Sequence, residues 1–152
     1  MKALSVKQPW AHALVDGIKS IEVRTWSTKH RGPLLICASA SPRDMFWAPG
    51  GGYDPLQMHA GCMIGVVEVL DCRPMVKADN EASLGSYGAD CWAWVTRPIG
   101  FVRPVAIKGK LNLFEVPDRE IRPLEAHEWL FDFPSPLGEV KFTDSCGLFG
   151  VG

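Results

Sequence analysis

"LSVKQPWAHALVDGIKSIEVRTWSTKHRGPLLICASA", residues 4–40, changes its hydrophobic period as it runs, and those changes set the architecture. Ala11, Leu14, Val15 and Ile18 recur at helical spacing, Pro9 suits a first helical turn, and Gly17 can adopt the left-handed stop. A helix of about two turns is predicted there. Beyond Gly17 the period falls to two, with Ile21, Val23 and Thr25 on one face of a strand and Ser20, Glu22, Arg24 and Trp26 on the other. "STKHRGP" then reads as a basic turn, and "LLICA" as an unbroken apolar run that fits a strand covered on both faces. The small side chains of "SASP" leave room at its end for another group to approach.

Outward from this stretch, residues 42–60, with "APGGGYDP", show no steady period apart from a short helix near "PRDMFW", and are expected to form a long exposed excursion. "GCMIGVVEVLDC" is a second apolar strand carrying Glu68, while "CWAWVTRPI" and "PVAIKGKLNLFEV" supply further strands. The segment from 117 onward is acidic and holds a candidate helix, "PLEAHEWLF". Several short strands with few helices predict a small barrel. No internal repeat or low-complexity linker is visible.

The 152 residues, 47% hydrophobic and 22% charged, suit one globular domain spanning 1–152. No window is long and apolar enough to span a bilayer, and "MKALSVKQPW" lacks the marks of a signal peptide, so a cytoplasmic protein without a membrane partner is expected. The five cysteines, Cys37, Cys62, Cys72, Cys91 and Cys146, form no C-x-x-C and read as reduced thiols. His59 and Cys62 make one H-x-x-C pair with no second pair to complete a tetrahedral site, so neither a metal nor a cofactor is expected. The net charge of −1 hides an asymmetry: residues 1–43 carry +5 and residues 111–152 carry −5. A basic lobe of this kind can attract phosphates locally, though early solvated lysines would give the same count.

The Q-P-W, the G-x-K-x-x-E-x-R from Gly17 to Arg24, the basic turn and the R-G-x-L-x-I-x-A-S from Arg31 to Ser39 follow one another at close spacing. In this order, and continuing through "IGVVEV", "WAWV" and "IKGKLNLFEV", they resemble the ASCH domain family, a branch of the PUA-like β-barrels associated with RNA and transcription coactivators. The resemblance covers about residues 3–116. It implies an α+β, mainly β, pseudo-barrel with a short N-terminal helix flanking a cleft, and leaves 117–152 as an acidic extension packing on the barrel. The exposed polar face of the strand at 21–26 would line that cleft, with Lys19 swinging into the same space.

Three uses of the cleft scaffold follow. In the first, it binds RNA or a nucleotide: Lys19, Arg24, Lys29 and Arg31 contact phosphate, Trp26 stacks on an unpaired base, Glu22 reads base amino groups, and Ser39 completes the site. Trp10, which opens the amphipathic helix, is assigned to the core, and His12, His30 and His127 to packing or solvated positions. In the second, the domain hydrolyses RNA or a modified nucleoside, since some ASCH relatives are described as RNA-cleaving and small bacterial ones hydrolyse acetylated cytidine. Lys19 and Glu22 would then be catalytic, Lys19 matching the lysine of those relatives. Where they have a threonine, two residues before the arginine, this chain has Glu22. Thr25, Thr28 or Ser39 would have to offer the hydroxyl, and Glu68 a second carboxylate, unless a basic side chain simply pairs with it. The third use is a protein-interaction module, with the acidic C-terminal segment and residues 129–133 facing a protein partner.

Overall fold

The unbroken apolar run builds the centre of the sheet. In the computed structural model, which describes residues 1–40 and 58–136, β3 (Gly32–Ala38) sends Leu34, Ile36 and Ala38 into one apolar cluster and Leu35 and Cys37 into another. Both faces are covered, as such a run requires. β1 (Lys2–Val6) lies parallel to β3 on one side, and β4 (Cys62–Pro74) antiparallel on the other. β4 pairs with β5 (Trp92–Phe101), which pairs with β2 (Ile21–Arg24), and β6 (Phe114–Glu115) pairs with β1. The result is a six-stranded sheet of order β2-β5-β4-β3-β1-β6, curled into a half-barrel. Register shifts between β4 and β5, at Val66/Val67 and Val69/Asp71, bend the long strand and help the sheet to curl.

Among the described residues two short helices accompany the sheet, α1 (Trp10–Asp16) and α2 (Asn80–Ser83). α1 ends as the sequence predicts: Gly17 sits at φ 93° and its N–H donates to the Ala13 carbonyl. The helix buries Ala11, Leu14 and Val15 and packs against β5, β4 and β3. It comes close to the sheet at Gly65 in β4, where a Cβ would lie 2.3 Å from Val15 Cγ1 and 2.9 Å from the Gly100 carbonyl oxygen. His12 is buried too, its ring 5.1 Å from that of Phe101 and 5.5 Å from that of Phe131. Burial, reinforced by the neighbouring His59, lowers its pKa to about 4.

Two expected elements are absent from their places. "PVAIKGKLNLFEV" is a strand only at Phe114–Glu115, with an isolated bridge from Ala106 to Cys62; the residues between are irregular. Gly109 lies against β1, so close that a Cβ would come within 2.6 Å of Ser5 Oγ, and Asn112 takes φ 59°; neither suits a continuous strand. "PLEAHEWLF" forms no helix, only a turn and a 3-10 segment at Leu130–Asp132. Its backbone is tied to the end of β5 by the Val102–Pro123 bridge and the Leu124 N–H to the Phe101 carbonyl, which outcompetes the weak helical period.

Most of the expected 42–60 excursion, including the helix near "PRDMFW", lies outside the described residues, as do Cys146 and residues 137–152. Cys37 and Cys62 are buried and Cys72 and Cys91 half-buried, and none of the four is disulfide-bonded; burial pushes Cys37 up to about 12. Among the described residues, no helix is long and apolar enough to cross a membrane.

Candidate nucleic-acid interface

β2 and β1 are separated by three strands in the sheet, yet Arg24 Nη2 donates to the Ser5 carbonyl of β1 at 3.0 Å. The curl therefore brings the two strands opposite each other, and the gap between them is a cleft of about 1120 Å³. On its floor Glu22 is held by two cations. Arg24 Nε and Nη2 lie 3.0 and 2.8 Å from Oε2, and Lys19 Nζ lies 3.5 Å from Oε1. Lys19 also donates to the Ser83 carbonyl at the end of α2.

This corrects the expectation of an open polar face. Lys19 is 4% exposed and Glu22 6%, and Lys19 is fixed between two partners instead of swinging free. The physical reason is that a carboxylate turned inward on a curled sheet needs compensating charge, and the two nearest cations supply it. Burial lowers the Lys19 pKa, while Glu22 acts in the opposite direction.

Two tryptophans line the same cleft. Trp26 is half-buried, edge-on to the core ring of Trp94 at 4.8 Å, and its carbonyl accepts a hydrogen bond from Trp94 Nε1 at 3.2 Å. Trp10, a core residue by its place at the start of an amphipathic helix, does pack partly on the core, but it also faces the cleft, with Lys19 Nζ 5.7 Å from its ring centroid. Helical periodicity could not reveal this, because Trp10 is the first helical residue and sits where α1 meets the opening.

The other walls come from segments with no strong sequence pattern. Residues 83–86 form one wall, with Leu84 in the left-handed region at φ 55°. The turn before it is pinned by Asp79, which accepts two bonds from Arg73 at 2.8 Å and one from the Val76 N–H at 2.9 Å. Arg73 and that N–H hold the Asp79 carboxyl down to about 2. Residues 106–112 form the facing wall, carrying Lys108 and Lys110, and Lys7 and Ser39 also line the cleft. Reading "KGK" as part of a strand hid these two lysines; the available signal was a Lys-Gly-Lys with no acid between Val105 and Phe114.

The structure thus gathers Lys19, Glu22, Arg24, Trp26 and Ser39 around one space, and leaves Lys29 and Arg31 outside its lining. Arg31 is occupied by the Thr28 and His30 carbonyls, at 3.2 and 2.9 Å, and by Asp71 at 3.5 Å. Glu68 pairs with Arg97, and neither it nor Thr25 or Thr28 reaches the cleft. The hydroxyls that line it belong to Ser5, Ser39, Ser83 and Ser86. Among the described residues, Glu125, His127 and Glu128 bring three ligand atoms close together, but they are not part of the cleft, and Glu128 already pairs with Arg103.

A curled half-barrel of this topology, with a short helix beside a charged cleft, defines the class: the PUA-like fold. The crystal structure of ASCH from Zymomonas mobilis matches it with a TM-score of 0.55, over 78% of this chain and 89% of that one, at 14% identity. The ASCH domain model matches residues 4–104, and the chain belongs to that family. Over 80 residues it is 42% identical to activating signal cointegrator 1 of Homo sapiens and 40% identical to that of Mus musculus. Each alignment takes in 45% of this chain and 14% of the relative, so this chain spans only a small part of the length of those proteins.

Proposed function

We propose that this ASCH domain binds RNA or a nucleotide in the cleft between β1, β2 and the wall at 106–112. The observation that carries this reading is the charge of the lining. Lys7, Lys19, Arg24, Lys108 and Lys110 face one carboxylate, Glu22, a local +4 on a chain whose net charge is −1. A concave, cationic surface that also presents the rings of Trp10 and Trp26 suits a ligand with phosphates and a flat base. Glu22 supports the site chiefly by orienting Arg24 and Lys19. Arg24, half-buried and anchored through Nε and Nη2, is a preorganised donor.

The test is fluorescence anisotropy with a single-stranded RNA across a salt series. Arg24→Ala should weaken binding and reduce the salt slope by roughly 0.7, the value for one phosphate contact on a single strand. Wild-type affinity and slope in this variant, with its fold retained, would sink the proposal.

One observation favours hydrolysis as a second reading. Burial lowers the pKa of Lys19, which is how a lysine becomes a proton acceptor, and several serines line the same space. Incubation with RNA and modified nucleosides, followed by mass spectrometry, decides it: products formed by the wild type and lost in Lys19→Met make this an enzyme. Unchanged substrates assign the cleft to binding alone. Cytoplasmic residence and a protein partner for the acidic C-terminal segment accompany these readings as proposals, the latter supported by the exposure of Trp129 and Phe131.

A further inference from the structure

The wall at 106–112 lies beyond the residues matched by the family model, yet it supplies two of the five cations around the cleft. Lys7, Lys108 and Lys110 are exposed, and among the described residues no carboxylate lies within ion-pair distance of them. Lys2, Lys19, Arg24, Arg31, Arg73, Arg97 and Arg103 are paired, while Lys29, Lys77, Arg119 and Arg122, which form no ion pair among the described residues, lie outside the lining of the cleft. Between Lys110 and Asn112 the turn presents Leu111, 92% exposed, the most exposed large hydrophobic among the described residues. Asn112 beside it takes the left-handed region at φ 59°, and the facing wall has a left-handed residue of its own at Leu84, which ends α2 with its N–H on the Asn80 and Glu81 carbonyls. Both described non-glycine residues with positive φ therefore stand on the two lips of one cleft.

From this we infer that the turn Lys108–Asn112 is a grip for a nucleic-acid strand that continues out of the cleft. The inference rests on the cleft as the nucleotide site and adds the form of its ligand: single-stranded, and longer than one nucleotide. Lys108 and Lys110 take the phosphates that flank the nucleotide in the cleft, and Leu111 covers the face of the neighbouring base. An apolar side chain fully in water beside two unpaired cations has no use to an isolated phosphate. Its chemistry matches an alternation of phosphate and base, which an unpaired strand offers and a stacked duplex hides. At Gly109 the turn closes on the Ser5 side chain, where a Cβ would come within 2.6 Å of Oγ.

The test compares a mononucleotide, a single-stranded RNA of eight nucleotides and the corresponding duplex as ligands of the full chain, each over a salt series. The wild type should hold the single strand more tightly than either the mononucleotide or the duplex. Lys108→Ala/Lys110→Ala should reduce the single-strand salt slope by about 1.4, two contacts at about 0.7 each, and bring octamer and mononucleotide affinities together. Leu111→Ser should weaken the octamer several-fold at unchanged slope, and the mononucleotide by much less. All three side chains are exposed, so thermal unfolding should match the wild type. Mononucleotide and octamer held equally, duplex held as tightly as single strand, or an unchanged slope in the double variant would each overturn the grip while leaving the cleft as a nucleotide site. Failure to hold any of the three ligands would overturn both.

Discussion

At the scale of single residues, Lys19 shows how burial alters what a substitution reports. The pattern Gly17, Lys19, Glu22, Arg24 pointed to the right side chains, because pleat alternation alone places Glu22 and Arg24 together. It did not reveal that Lys19 and Glu22 are shut away, since burial depends on the curl of the sheet and on Ser83, sixty-four residues distant in the chain. Lys19→Ala removes one of the two cations around a buried carboxylate and leaves the Ser83 carbonyl without its donor. A loss of about 2–3 kcal/mol in urea unfolding is expected, limited by the remaining Arg24. An unchanged unfolding midpoint would show that Lys19 is not held as described. Binding or turnover measured on that variant should therefore be read against its stability, and Lys19→Met, which keeps the aliphatic stem, is the cleaner probe.

At the scale of elements, legibility followed the strength of local periodicity. α1 and β3 were readable because a helix with a glycine stop and an apolar run covered on both faces are decided by neighbours in sequence. The wall at 106–112 was not, because an irregular segment laid against β1 is held by the Ala106–Cys62 bridge, the Ile107 N–H on the Gly61 carbonyl and a close contact at Gly109, and none of these leaves a period. The failed helix at 123–131 has the same origin: hydrogen bonds to the end of β5 override a helical pattern that lacks a cap. The union of α1 with β4 is a firmer matter. Gly65→Ala puts a Cβ inside the van der Waals reach of Val15 and the Gly100 carbonyl, and should cost about 1–3 kcal/mol in denaturant unfolding by forcing the helix outward. Gly100→Ala, where a Cβ meets nothing within 4 Å, is the control and should unfold near the wild-type midpoint. Equal midpoints for the two variants would contradict this packing.

For the whole molecule, the buried histidine couples stability to pH. His12 is neutral in the folded state with a pKa of about 4 and takes up a proton near 6.5 when unfolded, so between those values the unfolded chain binds more protons. Stability contributed by this site is complete above pH 6.5 and falls as pH drops toward 4, by about 3 kcal/mol in all. Unfolding followed from pH 7.5 to 4.5 should show this decline, and His12→Phe should flatten it while keeping an aromatic ring between Phe101 and Phe131; identical pH slopes would contradict the assignment. The same end of the molecule explains where a truncation can be made. Residues 118–135 are bound in by the Met1 ammonium on Asp118, by Leu124 on β5 and by the Phe133 carbonyl on His59. A cut at 117 would uncover the core, and a cut after 136 would leave Trp129 and Phe131 in place, so Trp129→Ala, at an exposed ring, is the variant that separates capture of a protein partner by the acidic segment from binding in the cleft.

The most direct test of the cleft as the ligand site is NMR of the isotopically labelled chain titrated with a single-stranded RNA octamer, following the tryptophan indole N–H signals and the backbone amides together. The Trp10 and Trp26 indoles and the amides of Ser83–Ser86 and Lys108–Asn112 should shift in concert, with Trp129 unmoved. Shifts centred on Trp129 and Phe131 with a silent cleft would place binding on the opposite reading, and no shift at any concentration would remove RNA as the ligand.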